Sequence, residues 1–390
     1  MKKIISLLPA LVLMSIVSAQ DLLPVFTKDA SGKNKWGYKD ASGKIIIEPK
    51  YTRYSSFNDG LAAVEFNGKM GYIDKTGKEV TEFKYDKAEN FYKGFGKVRL
   101  AGKYGYVNKE GIEFIPTKYE SINNYPTDGV FIVTLNRKKG ALDLTGKEVV
   151  PIVFENLNDF SSGLARAYNG SKKTLFIDRT GKTIIEADYE DTHTTFVEGF
   201  CGVKLAGKWG FIDVKGKVVV PVKYDASQIF QEGYASVMVG GKPGDYGSMI
   251  AGKWGYVDKK GKEITAMKYD KTYRFTEGFA VVRIGGTADK FGNVTGGKSA
   301  FINTAGKEIT PVKYDHATDF VEGMARVNIG GTPDSYGDPK GGNWGFIDKT
   351  GKELIPVQYD KVKDFSNGKA VVEMGGKTFT INKKGETTDQ

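Results

Sequence analysis

The chain has 390 residues but one cysteine and two histidines, and each shortage removes a class of chemistry. A single Cys forms no intrachain disulfide, so the fold must hold by packing. Paired Cys-His spacing for zinc is missing, as is a calcium loop of alternating acids. His193 and His316 alone offer little from which a nucleophile, base and orienter could converge, and both fall in a connector register read as surface loop. Glycine-rich stretches such as Gly240-Gly241 and Gly296-Gly297 precede no helix pattern, so a phosphate cradle is unsupported. No stretch carries the apolar spacing of an amphipathic helix of several turns.

Long apolar runs are also absent, with one exception. Lys2 and Lys3, the run Ile4 to Val17 and the small-residue site Val17-Ser18-Ala19 form a secretory signal peptide over residues 1–19. The mature chain is then expected to be exported, to the periplasm, cell surface or medium, with no transmembrane segment. Removing residues 1–19 takes two lysines and no acid, leaving 55 basic and 47 acidic residues, a net charge of +8. The two signs are interspersed, so ordinary solvated turns account for them, and nucleic acid is not an expected partner.

What the chain has is glycine and aromatics in register: 50 Gly, 21 Tyr and 23 Phe. Trp-Gly-aromatic occurs at Trp36, Trp209, Trp254 and Trp344, with degenerate copies beginning at Met70, Tyr104, Lys139, Thr174, Ser299 and Thr378. The steps between these ten anchors are 34, 34, 35, 35, 35, 45, 45, 45 and 34 residues. A period in that range marks a repeat array, in which neighbours cover aromatics that one unit cannot bury alone.

Each anchor leads to an Asp or Asn three residues before a Gly, as in Asp213-Gly216, which is hairpin-turn chemistry rather than a ladder of metal ligands. An aromatic follows each of the first nine turn glycines by eight residues, Tyr224 for example. Then come a second aromatic such as Phe230, a glycine, and an alternating strand such as Ala325-Val327-Ile329. The unit reads as strand A (the anchor), a turn, strand B (Val218 to Val220, ended by Pro221), a Tyr-Asp connector and strand C. In this register the tryptophans are core side chains. Cys201 stands where other copies have Ala165 or Ala235 and reads as a small core residue. Strands near Leu23 to Thr27 and Lys377 to Asn382 stand outside the pattern as caps.

Gly-Lys-Trp-Gly-Phe/Tyr-Ile/Val-Asp-x-x-Gly-Lys, followed by Tyr-Asp and Phe-x-Glu-Gly-x-Ala, is best matched over residues 252–282. It resembles the WG-containing repeat family of bacterial proteins. The resemblance implies an all-β repeat protein, frequently exported, and carries no agreed activity or catalytic residues. The Trp is replaced in six of ten anchors, so no single Trp constellation is obligatory.

The period breaks where three consecutive steps lengthen to 45 residues. The extra material lies between strand C and the next strand A, at 240–253, 285–298 and 330–343, with Tyr246, Phe291 and Tyr336 aligned and Asp245, Asp289 and Asp334 nearby. Insertions of equal length at one repeat position emerge on one side, so these six residues form the candidate ligand patch, suited to a sugar or peptide. The competing reading is three long hairpins whose aromatics pack on one another.

The expectation is a signal peptide at 1–19 and one β-repeat domain at 20–390, about nine full repeats and a partial tenth. Its three-stranded units stack as an open superhelical solenoid, with a closed propeller-like toroid as alternative. The expected function is a monomeric, non-catalytic binding or scaffold protein of the cell envelope, recognising a polysaccharide or protein, without cofactor or metal. A structural spacer or a polysaccharide-processing enzyme are the rivals, because carboxylates are plentiful, although a catalytic pair should stand out as unique.

Overall fold

A computed structural model describes residues 22–245, 249–334 and 339–388. The signal-peptide reading of residues 1–19 lies outside them. All regular structure among the described residues is β, and no helix there is long and apolar enough to cross a membrane. The chain divides into two compact units, one ending at Val153 and the other beginning at Phe154.

Both units are built from small antiparallel sheets of two to four strands. In the first, Lys87–Ala88, Gly96–Leu100, Lys103–Val107 and Glu113–Tyr119 form one sheet in chain order. In the second, Asp191–Thr192, Phe200–Leu205, Lys208–Asp213 and Val218–Tyr224 do the same. Strand C of one repeat therefore pairs with strand A of the next, and strand B closes the sheet. The expected three-stranded unit is incomplete: a fourth strand of two residues from the Tyr-Asp connector adds to the free side of strand C. Two residues carry too little alternation to be read as a strand.

The turns follow their chemistry. Asp213 Oδ1 accepts the amides of Lys215 and Lys217, both at 2.9 Å, while Gly216 closes the turn at φ 80°. Strand B does not end at proline as expected but runs through Pro221 to Tyr224. It can do so because Trp209 pairs with Tyr224 and Phe211 with Val220, which bulges the residues between them away from the ladder, where a missing N–H is harmless. Gly210 faces that bulge; a Cβ there would stand 2.6 Å from the Val220 carbonyl oxygen. At Gly37, Gly210 and Gly345 the glycine of Trp-Gly is thus set by close approach of strand B.

Whether strand B forms depends on the residue four after the turn glycine. Six copies have an aliphatic there, Ile47, Ile115, Val150, Ile185, Val220 and Ile355, and six have the strand. Thr81, Thr265 and Thr310 occupy it in the other three, where strand B is absent. Their hydroxyls accept the amides of Tyr72, Tyr256 and Phe301 at 2.9–3.0 Å, replacing the sheet carbonyl that would otherwise do so.

Each core is assembled from aromatics of the repeat. In seven copies the third anchor residue meets the second aromatic edge-on, with centroids 4.7–5.3 Å apart, as in Phe211–Phe230 and Tyr256–Phe275. Cys201 is fully buried in such a cluster, and burial pushes its thiol up to about 12, so it is a core residue and a poor nucleophile. Leu23–Lys28 and Lys377–Asn382 are not stray; they pair with Asn34–Lys39 and Lys369–Met374.

Neighbouring repeats are clasped by charged side chains. Glu232 accepts the amides of Glu277 and Gly278, and Glu322 those of Asn367 and Gly368, at 2.7–2.9 Å. Glu277 accepts the amide of Gly323 in the same way. The hydroxyls of Tyr224, Tyr269 and Tyr314 donate to Glu263, Glu308 and Glu353, each also held by the preceding lysine.

Candidate functional site

The three 45-residue steps extend the hairpin that joins strand C to the next strand A. The middle one is continuous, Phe279–Ala288 against Val294–Asn303. The outer two break and resume as two-residue pairs, Lys242–Pro243 with Met249–Ile250 and Thr332–Pro333 with Pro339–Lys340.

Four of the six predicted residues fall in the described segments; Tyr246 and Tyr336 lie outside them. The Asp245 amide donates to the Lys290 carbonyl at 2.9 Å, and its carboxylate stands 3.4 Å from the Lys290 ammonium, so the first hairpin is tied to the second. Phe291, beside Lys290, is half exposed with that ammonium 4.8 Å above its ring. Asp289 caps the tip: its carboxylate accepts the amides of Phe291 and Asn293 and the Asn293 side chain, and these bonds hold it below the usual carboxylate range. Its role is turn formation. Asp334 is exposed at the edge of the third hairpin, and the base of that hairpin lies beside Val294–Asn303.

The concave surface lies below the tips. A cleft of about 320 Å³ separates the first two hairpins, lined by Met238, Met249, Ile250, Trp254, Gly286 and Val294. A second, of about 370 Å³, lies at the third hairpin between Pro339, Gly341, Trp344, Asp360, Lys361 and Val362. The tryptophans are therefore half-buried rather than core. Elsewhere the indole face is covered, Trp209 by His193 at 5.1 Å and Trp36 by Tyr54 at 4.2 Å. In the long-hairpin repeats Trp254 and Trp344 also line clefts, the Trp344 ring with the Arg326 guanidinium 5.7 Å over it and His316 5.8 Å away. Anchor register hid this, since the same residue packs in one repeat and lines a cleft in another.

The acids around these clefts hold the backbone. Asp270 binds the Lys253 ammonium at 2.5 Å and the amides of Gly285 and Gly286 at 2.7 and 3.2 Å. Asp315 does the same for Lys298 and Gly330, and its carboxyl lies low: burial opposes this, but the lysine and the amide outweigh it. His193 lies in the connector after Asp191–Thr192, half-buried rather than exposed at the surface. Its ring packs 5.1 Å from Trp209 and 5.6 Å from Phe211, with Nε2 3.2 Å from Ser227 Oγ, and desolvation lowers its affinity for a proton. Among the described residues no three His, Cys, Asp or Glu side chains are placed to hold a metal ion.

No curated protein matches the sequence. Solved structures that align with it include a eukaryotic initiation factor, at 10% identity over 95% of both chains with TM-score 0.38. BamB from Moraxella catarrhalis aligns at 13% identity over 85% of this chain and 96% of its own, with TM-score 0.31. AztD from Citrobacter koseri aligns at 12% identity over 63% and 84%, with TM-score 0.29. Likeness at this level carries no argument about this chain. The sequence itself matches the model of the WG containing repeat nine times, at 36–69, 70–104, 104–138, 140–172, 176–209, 209–242, 254–287, 300–332 and 344–377. These segments begin at or within two residues of the first nine anchors, and the chain belongs to the WG-containing repeat family.

Proposed function

We propose that this is an exported, non-catalytic binding protein of the cell envelope that holds a polysaccharide in the clefts walled by Trp254 and Trp344. The observation that carries the reading is that Trp254 and Trp344 each line a cleft beside apolar side chains, Trp254 with Met238, Met249 and Ile250, and Trp344 with Pro339 and Val362. Indole faces stack on sugar rings, and clefts of this size suit a small ring system. Export rests on the amino-terminal basic and apolar pattern. A non-catalytic role is supported by the acids: those at the clefts, Asp270 and Asp315, are engaged by lysines and backbone amides.

The test is retention of the mature chain, residues 20–390, on insoluble envelope polysaccharide. Saturable retention is expected, reduced at least tenfold in the Trp254→Ala, Trp344→Ala double variant. Retention by the double variant equal to that of the parent refutes the clefts. Retention that protease treatment of the envelope material abolishes assigns a protein partner instead.

A further inference from the structure

The first unit holds another cleft, created by an exchange of side-chain sizes. Three residues before the turn glycine that opens strand C, the other eight repeats carry Phe, among them Phe57, Phe91 and Phe230. Here, before Gly129, the residue is Pro126. The missing ring is supplied from strand C: Phe131 stands where Ala62, Gly96 or Cys201 stand elsewhere, is fully buried, and meets Tyr106 at 4.7 Å. The connector from Tyr119 is also one residue longer than the one from Tyr85. The result is that Tyr125 turns outward, 56% exposed, against the 47% exposed Tyr92, with ring centroids 4.7 Å apart at 61°. These two rings, with Phe95, Phe131 and Leu144 behind them, wall a cleft of about 310 Å³.

The cleft also carries a cation that a later repeat pairs with an acid. Lys97 Nζ, half-buried in the wall, donates to the Ile122 carbonyl at 2.7 Å and to Asn124 Oδ1 at 2.8 Å. The corresponding residue in a later repeat, Arg326, reaches the equivalent positions, the Val362 carbonyl and Asp364, and there the ion pair closes at 2.6 Å. Asn124 thus stands in the place of the aspartate. Among the described residues no carboxylate lies within ion-pair distance of Lys97; the nearby Glu89 is held by Lys87 at 2.8 Å. Burial works against the Lys97 charge and lowers its pKa, as expected for a cation with only neutral acceptors. Lys93 adds a second positive charge at the rim, 5.2 Å from the Tyr92 ring.

We propose that this cleft binds the carboxylate-bearing pyranose ring of an acidic oligosaccharide, with Tyr125 and Tyr92 against the ring and Lys97 taking the carboxylate. The exposed phenol faces suit the C–H faces of a sugar. Asn90 and Asn124 offer amide donors and acceptors for hydroxyls, and Lys97 and Lys93 favour an anion against the Glu89 carboxylate of the lining, which Lys87 holds. A peptide bound by strand addition would need an open strand edge, whereas this cleft is walled by connector side chains; an acidic peptide held by its side chains is an outcome that the test distinguishes. The site is independent of the clefts at Trp254 and Trp344.

Titration calorimetry of the mature chain with trigalacturonic acid, and with galactotriose as the neutral probe, tests the assignment. Saturable binding of the acidic probe is expected, at least tenfold tighter than of the neutral one. Tyr125→Ala weakens it at least tenfold. Asn124→Asp is the decisive variant: it restores the acid found beside Arg326, so it keeps the melting temperature of the parent yet lowers affinity for the acidic probe at least tenfold, leaving the neutral probe unaffected. No saturable binding of trigalacturonic acid, equal affinity for both probes, or an Asn124→Asp protein that binds the acid as before overturns the proposal. So does displacement of the acidic probe by a Phe-Glu dipeptide at lower concentration than by the sugar itself.

Discussion

Replacing Gly210 by alanine tests the reason for the glycine in the Trp-Gly pairs that face a strand B. The added Cβ would lie 2.6 Å from the Val220 oxygen and 2.8 Å from both Val222 Cα and Val222 Cγ2. Favourable contact needs roughly 3.5 Å or more, so the bulged strand must retreat by about 0.7–1 Å. Two of the three atoms belong to main chain inside the ladder, which cannot turn aside as a side chain can. Overpacking of this kind costs about 1–3 kcal/mol, reduced by about 0.4–1 kcal/mol because alanine also restricts the unfolded chain. A net loss of up to about 2.6 kcal/mol follows. Gly255→Ala in the adjacent repeat is the control, because strand B is absent there and the nearest atom is Met267 Sδ at 2.5 Å. An unbranched thioether can swing away, so the expected cost is under about 1 kcal/mol and offset by the chain-entropy gain. Guanidinium unfolding followed by circular dichroism compares the two, since stacked repeats lose stability through their neighbours and shift the whole transition of a unit. If Gly255→Ala lowers the midpoint as much as Gly210→Ala, the bulge contact is not what selects the glycine.

His193 should make the second unit acid-sensitive. Its folded pKa is lowered from 6.5, first by desolvation, so the unfolded chain takes up the proton more readily; stability is full above 6.5 and declines as pH falls below it. The wild type should therefore lose more stability between pH 7.5 and 5.5 than His193→Gln, by at most about 1.4 kcal/mol per pH unit; parallel pH curves would refute this. The glutamate clasps should be visible by hydrogen exchange. In Glu322→Ala the amides of Asn367 and Gly368 lose their acceptors and should exchange roughly tenfold faster, while Gly278, held by Glu232, keeps its protection. Equal protection in parent and variant would show that the clasp is not maintained in solution.

Much of the fold was readable residue by residue. The ten Asx-to-glycine spacings marked turns because only a few side chains accept their own backbone amides and only glycine takes the closing φ without cost, and all ten glycines have positive φ. Cys201 was placed in a core by register alone. The candidate site was read less well. The three long hairpins were located by their spacing, yet the tips named from them include Asp289, which is a turn former, while the surfaces that form clefts belong to Met238, Met249 and the tryptophans. A period reports which residues are equivalent, not what covers each of them.

The sequence by itself determined the repeat, its all-β character, the turns and the length of the hairpins, because these depend on local backbone chemistry and on a hydrophobic pattern that recurs. Only the tertiary structure decided where the equivalence fails. Strand B appears or vanishes with an aliphatic or a threonine at one position, an effect that operates through the neighbouring strand's amide. The partner of the indole differs from repeat to repeat, Tyr54 at Trp36, His193 at Trp209 and Arg326 with His316 at Trp344. The exchange of Pro126 and Phe131 leaves total aromatic content almost unchanged while moving a ring across the core and exposing Tyr125. Such outcomes depend on side chains distant in the chain sharing one volume, and that volume exists only once the strands are packed.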